Sequence, residues 1–256
     1  MLDGWTAYVT GASQGIGRRI AIELAERGAS VGVAARSDSI YDTAAEIGDA
    51  RALAVETDVT EADSIDRSLE RTAEEFGGID CVVNNAGIGG PHKTVEELPL
   101  EEWEHTLRVN LTGAFLVCKH ALPYLKESDR ASLVNISSTA AKDPYPTRSP
   151  YSASKAGMIG FARDLAYEWG EHDITVNTIC PGAVEGERIE RMIEKQAEKR
   201  GVSFEEAKRQ RITDRLPLDS IVDPCDIGAL VAFLASEHAR NITAQDINID
   251  SGARQD

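Results

Sequence analysis

Seven short runs rich in β-branched and small apolar residues, at 5–10, 30–35, 51–56, 79–83, 131–136, 175–179 and 246–249, alternate with helical patterns along nearly the whole chain. Strands separated by helices pair most readily in parallel, and a parallel sheet must be covered by helices on both faces. The first crossover shows the pattern: Ile16, Ile20 and Leu24 recur every fourth residue with Ala21 and Ala25 beside them, and Gly28 supplies the stop. With 256 residues and 42% hydrophobic content there is enough apolar material for one large core. No repeat or low-complexity linker divides the chain, so a single domain spanning 1–256 is expected. One segment breaks the alternation. Residues 186–215 are highly charged and helical in composition, in two pieces parted near Gly201, and read as a helical insertion at about 184–215 before the last strand.

The net charge of −16 disfavours nucleic acid and anionic lipid as partners. No run reaches the ~18 uninterrupted apolar residues of a membrane span, and the first ten residues lack the basic flank and apolar core of a signal. The expected setting is cytoplasmic. Nineteen of the basic residues are Arg and eight are Lys, a carboxylate-rich, lysine-poor balance expected of a protein that works in high salt. Cys81, Cys118, Cys180 and Cys225 are widely spaced with no CxxC pair, so they read as reduced, mostly buried thiols, with neither a zinc site nor a disulfide framework.

After the first run comes Thr10-Gly11-Ala12-Ser13-Gln14-Gly15-Ile16-Gly17, leading straight into the amphipathic helix. Glycines let a backbone approach a diphosphate closely, and a helix N-terminus offers it unpaired N–H groups and a positive dipole end. Further on, Tyr151-Ser152-Ala153-Ser154-Lys155 places a phenol and an amine on one face at the start of a helix. A free phenol titrates near ~10, and a neighbouring ammonium favours its ionised form, which suits proton exchange with an alcohol or a carbonyl.

The GxxxGxG turn, Asn84-Asn85-Ala86-Gly87 after the fourth run and the Tyr151–Lys155 pair together resemble the short-chain dehydrogenase/reductase family. The resemblance spans the chain from Thr10 to Gly252. It implies a Rossmann-like doubly wound parallel sheet of about seven strands and hydride transfer between a nicotinamide cofactor and a carbonyl or secondary alcohol. It implies a catalytic set of Asn110, Ser138, Tyr151 and Lys155. Ser138, thirteen residues before Tyr151, matches the family's serine, with Ser137 as its neighbour; Asn110, in a long helix from about Glu101, matches the residue that holds a water in a relay toward Lys155. The cofactor-binding residues implied are Gly11, Ser13, Gln14, Gly15, Ile16, Gly17, Arg36, Ser37, Asp58, Val59, Asn85, Ala86, Gly87, Tyr151, Lys155, Pro181, Gly182 and Val184. Gly186 stands where the family usually carries Thr, which removes a hydroxyl contact to the cofactor.

Ala35 stands where NAD-dependent relatives usually place Asp, and Arg36 follows it, so NADP(H) is favoured. Gln14 replaces the basic residue of many NADP-dependent relatives and Asp38 lies close by, which leaves NAD(H) open. Polar and charged residues, His92, Lys142, Tyr145, Arg148, Glu185, Glu187, Arg188 and Arg191, are expected to wall the pocket. They suit a small polar substrate such as a sugar, hydroxy acid or keto acid. A 3-oxoacyl thioester carried on an acyl carrier protein or CoA is the rival substrate, and a nucleotide-sensing protein without turnover the rival of another class. The helix expected over 152–169 is apolar on so many sides that a homo-oligomer, with a tetramer as its expected form, follows. If the acidic surface is an adaptation to salt, the denaturant midpoint should rise steadily from dilute to molar NaCl; a midpoint indifferent to salt contradicts it.

Overall fold

The computed structural model describes residues 1–254, without the side chains of Arg188, Arg211 and Arg215. Seven strands, β1 (Thr6–Thr10), β2 (Ser30–Ala35), β3 (Ala52–Glu56), β4 (Cys81–Asn84), β5 (Ser132–Ile136), β6 (Thr175–Pro181) and β7 (Asp246–Ile249), form one sheet in the order β3-β2-β1-β4-β5-β6-β7. Every pairing is parallel, as the alternating pattern requires. Nine α-helices lie among the described residues: α1 (Gly15–Glu26), α2 (Ser39–Ile47), α3 (Ala62–Phe76), α4 (Leu100–Leu107), α5 (Gly113–Lys126), α6 (Ser149–Trp169), α7 (Glu187–Arg200), α8 (Phe204–Arg211) and α9 (Pro224–Ala235).

Successive side chains of a strand point to opposite faces, and β1 divides its residues accordingly. Ala7 and Val9 pack with Ile20 and Leu24 of α1 and Ile227 and Val231 of α9; Tyr8 packs on the other side with Leu69 of α3, Val117 of α5 and Leu165 of α6. A third, small cluster of Ile193, Ala197, Ala207, Ile212 and Ile221 holds α7 and α8 together between β6 and β7. Gly201, in the left-handed conformation at φ 67°, ends α7 where the composition divides. Strand order reverses between β1 and β4, which opens a crevice at the carboxyl ends of the strands, the general ligand position of such sheets.

Two helical expectations need correction. The helix that carries Asn110 starts at Leu100 but is not one regular run: a wider turn over Arg108–Thr112 separates α4 from α5. This turn follows an i→i+5 bonding pattern, so it shifts the helical register without any compositional mark. The helix of Tyr151 begins earlier than expected, at Ser149, with Pro150 in its first turn where the missing N–H costs nothing. Burial pushes the thiols of Cys81 and Cys118 up to about 12, so they stay protonated; Cys180 is also buried and Cys225 half-buried, and all four are free.

Lys142 does not wall the crevice. Its ammonium reaches the Asp246 carboxylate at 2.8 Å and the Asn248 amide oxygen at 2.7 Å, tying the segment after β5 to β7. Partial burial alone raises the Asp246 carboxyl, but the bonds from Lys142 and Arg163 outweigh it and hold it below the usual carboxylate range. A group lowered on folding stabilises above its unfolded value of ~3.9 and ceases to do so as pH falls through the folded value. Asp246→Asn should therefore melt several degrees below the parent at pH 7, with the gap closing toward pH 3; a gap independent of pH in thermal melts contradicts this.

Candidate active site

The turn between β1 and α1 is built by close backbone approach. Gly11 has φ +66°, and a Cβ there would lie 2.8 Å from the Cα of Ala86. A Cβ on Gly17 would collide with the Asn85 amide and the Gly11 carbonyl. Gly15, at φ +55°, has nothing within 4 Å of its Cβ position, so the turn opens onto space exactly where the α1 amides emerge. This is a cradle that fits a diphosphate: left-handed glycines, free room and the unpaired N–H groups of a twelve-residue helix.

The Asn-Asn-Ala-Gly segment braces that cradle. Thr10 Oγ1 accepts from the backbone N–H groups of Asn85 and Ala86, each at 3.0 Å, and the Asn85 amide donates to the carbonyls of Thr10 and Gly11 at 2.9 and 3.2 Å. The Asn85 side chain is thus a strut that holds two strand ends in register. Asn84, buried one residue earlier, donates to Asn135 Oδ1 at 3.0 Å across to β5. Thr10 opens the turn motif in the sequence, but its part as the hub of this bracing is visible only in the fold.

Tyr151 and Lys155 sit one turn apart in the first turns of α6, with the Lys155 Nζ 6.0 Å from the Tyr151 ring centre. Lys155 is buried, and its ammonium donates to the Ile136 carbonyl at 2.8 Å, where β5 ends. Asn110 and Lys155 meet at Gly87: a Cβ there would lie 3.2 Å from Asn110 Oδ1 and 3.6 Å from Lys155 Nζ. The Asn110 side chain accepts from the Ile88 N–H at 2.7 Å and donates to the Ile88 carbonyl at 2.9 Å and to Ser154 Oγ at 3.0 Å. Ser154 in turn donates to the Tyr151 carbonyl at 2.7 Å, which links the turn after α4 to the start of α6.

The two serines after β5 separate by environment. Ser137 is buried and donates to the Lys155 carbonyl at 2.8 Å, whereas Ser138 is half-buried and its hydroxyl accepts from the Ala140 N–H at 3.1 Å, leaving its proton free to be donated. Arg36 is 64% exposed beyond β2 and lies 3.6 Å from the Asp58 carboxylate. Burial alone raises that carboxyl, but two bonds from Thr60 and the Arg36 charge outweigh it and hold it below the usual range. Val59 is buried beside it, and a Cβ on Gly182 would meet the Asp250 side chain at 2.8 Å. Val184 bridges in parallel to Val222, while Ser13, Ile16 and Ser37 border the turn and the end of β2.

Among the expected pocket walls, Arg148 stands against the rings of both Tyr145 and Tyr151, and His92 meets Arg148. Glu185, Glu187 and Arg191 are exposed, the last two paired with each other on α7. The Arg188 side chain lies outside the described residues. The whole arrangement can seat a dinucleotide on the α1 side and present a phenol, an amine and a hydroxyl to a small molecule beside it.

The enoyl-(acyl carrier protein) reductase family model matches residues 11–254. The chain is 37% identical to D-beta-hydroxybutyrate dehydrogenase of Cupriavidus necator, over 98% of each chain. It is 34% identical to the 3-oxoacyl-(acyl-carrier-protein) reductase of Vibrio cholerae, again over 98% of each. Its fold superimposes on a crystal structure of actinorhodin polyketide ketoreductase with NADPH at a TM-score of 0.90, with 35% identity and 99% of both chains covered. The cradle makes a direct demand: Gly17→Ala should weaken nicotinamide-dinucleotide binding at least tenfold in a fluorescence titration, and unchanged affinity in a folded variant contradicts the described turn.

Proposed function

The chain belongs to the short-chain dehydrogenase/reductase family, and from that membership we propose that it is an NADP-preferring reductase or dehydrogenase of a small polar substrate. It is an NAD(P)-dependent oxidoreductase acting on a CH–OH or C=O group. The observation that carries the assignment of roles is the Tyr151 ring 6.0 Å from the ammonium of Lys155, beside the glycine cradle. Tyr151 gives its phenolic proton to the substrate oxygen in reduction and takes it back in oxidation. Lys155, pinned on the Ile136 carbonyl, supplies the positive charge that favours that exchange and would help hold the nicotinamide ribose of a bound cofactor. Ser138 donates to the substrate oxygen as charge develops there. The nicotinamide cofactor, bound on the cradle, supplies or accepts the hydride.

Asn110 has a particular place in this scheme. Its side chain is committed to Ile88 and Ser154, so a water relay toward Lys155 would run through its main-chain carbonyl in the irregular turn rather than through its amide. The preference for NADP rests on Arg36: the guanidinium is exposed, Ala35 offers no carboxylate to repel a 2′-phosphate, and the actinorhodin neighbour was solved with NADPH. The cofactor set proposed is otherwise Gly11, Ser13, Gln14, Gly15, Ile16, Gly17, Ser37, Asp58, Val59, Asn85, Ala86, Gly87, Pro181, Gly182 and Val184, with Tyr151 and Lys155.

A homo-oligomer, with a tetramer as its form, is part of the same reading. Phe115 of α5, 44% exposed, packs edge-on against Phe161 of α6 at 6.2 Å, and Tyr167 is 87% exposed on the same helix. We also place the protein in the cytoplasm as one domain, with α7 and α8 as its substrate loop and its acidic surface suited to salt; no helix among the described residues is long and apolar enough to cross a membrane. The similarity to the Vibrio cholerae enzyme favours a second substrate reading, a 3-oxoacyl thioester. A panel of carbonyl substrates followed by nicotinamide absorbance tests all of this. Tyr151→Phe should lose at least a thousandfold in kcat while still binding NADPH, and Arg36→Ala should lose tenfold or more in kcat/KM with NADPH but not with NADH. Turnover retained by the first variant, or an unchanged cofactor ratio in the second, contradicts the assigned roles.

A further inference from the structure

Arg148 precedes α6 and lies three residues ahead of Tyr151, yet it is 4% exposed, an unusual depth for a guanidinium in a loop. Its guanidinium carbon lies 5.3 Å from the ring centre of Tyr151 and 5.5 Å from that of Tyr145. One of its terminal nitrogens meets Nε2 of His92, and because a guanidinium can only donate, the imidazole nitrogen is the acceptor. His92 itself is exposed, on the irregular stretch that follows β4. Tyr151 is therefore flanked by two buried cations, Lys155 along the helix and Arg148 ahead of it.

The backbone beside Arg148 is strained. Thr147, a β-branched residue, is in the left-handed region at φ 66°, and its carbonyl accepts from the Lys93 N–H at 3.0 Å. Such a conformation costs free energy and persists only where the surroundings over-determine it; here it immediately precedes Arg148, whose buried guanidinium lies against the Tyr151 ring. A planar fork of N–H donors matches a carboxylate in two parallel bonds, a match that a sugar hydroxyl or a thioester does not make. The need for such a local cation is sharper in a molecule of net charge −16, whose overall field opposes an anionic substrate.

We propose that Arg148 is the specificity-determining residue that receives a substrate carboxylate, so that the substrate is a short-chain oxo acid or the corresponding hydroxy acid. The carboxylate takes the place of His92 as acceptor, with the exposed imidazole moving toward solvent, and the carbonyl or hydroxyl to be converted lies at Tyr151. This rests on the reading of the crevice beside Tyr151 as the reaction site, and it narrows that reading from small polar molecules to acids.

The test compares kcat/KM, with NADPH as reductant, for acetoacetate and pyruvate beside their methyl esters and for an acetoacetyl thioester. The parent enzyme should favour one of the two acids over its ester at least tenfold. Arg148→Met should abolish that ratio chiefly through KM for the acid, leaving the ester rate within a few fold, and Arg148→Lys should retain part of the ratio. Preference for an ester or the thioester by the parent overturns the proposal, as does an equal loss on acid and ester in Arg148→Met, which would make the residue a mere support for Tyr151. Should Arg148→Met fail to fold by thermal melt, the parent ratio and its partial loss in Arg148→Lys decide the matter; a ratio unchanged in Arg148→Lys overturns it. Turnover of the esters with a ratio near one contradicts this proposal alone, whereas turnover of no carbonyl at all contradicts the oxidoreductase reading and this proposal with it.

Discussion

The buried ammonium of Lys155, held on the last carbonyl of β5, is the contact around which the crevice is organised. A charge at that depth has to be met by a fixed dipole, and the Ile136 carbonyl is available because the strand stops there. Once the amine is anchored, the first turns of α6 are fixed in rotation, and with them the phenol one turn earlier. At Gly87, where a Cβ would sit tightly against Asn110 Oδ1 and in contact with Lys155 Nζ, the turn after α4 comes close to the same amine. Three segments distant in sequence are thereby committed to one geometry.

The cofactor side depends on a second set of contacts with the same logic. Thr10 and Asn85 exchange bonds between the ends of β1 and β4, the two strands between which the strand order reverses. The glycine turn is consequently braced from outside itself: the strut comes from the neighbouring strand end. The cradle follows β1 and the catalytic helix is anchored on β5, with β4 paired to both between them, so one rigid sheet fixes their separation.

Much of this was legible in the sequence because buried parallel strands and amphipathic helices have periods that cannot be disguised. All seven strands fall within about two residues of their expected places, and Tyr151, Lys155, Asn110 and the glycine turn come together around one crevice. What stayed hidden has physical reasons. The irregular turn at Arg108–Thr112 is a shift of one residue in bonding register, which leaves the apolar pattern intact. Lys142 follows Ser138 closely in the chain, yet which side of a short helical turn it faces is decided by Asp246 and Asn248, a hundred residues away. Arg148 was readable as a charged loop residue, but its burial depends on Tyr145, Tyr151 and the distant His92.

The central claim is that the anchored Lys155 aims the Tyr151 phenol at the substrate oxygen beside the cradle. A crystal structure of the protein with NADP+ tests it most directly. The account predicts the dinucleotide diphosphate at Gly15, the Lys155 amine and the Tyr151 hydroxyl both on the nicotinamide side of the crevice, and Lys155 within hydrogen-bond reach of the ribose. A dinucleotide bound elsewhere, or a Tyr151 hydroxyl turned away from the nicotinamide, would contradict it.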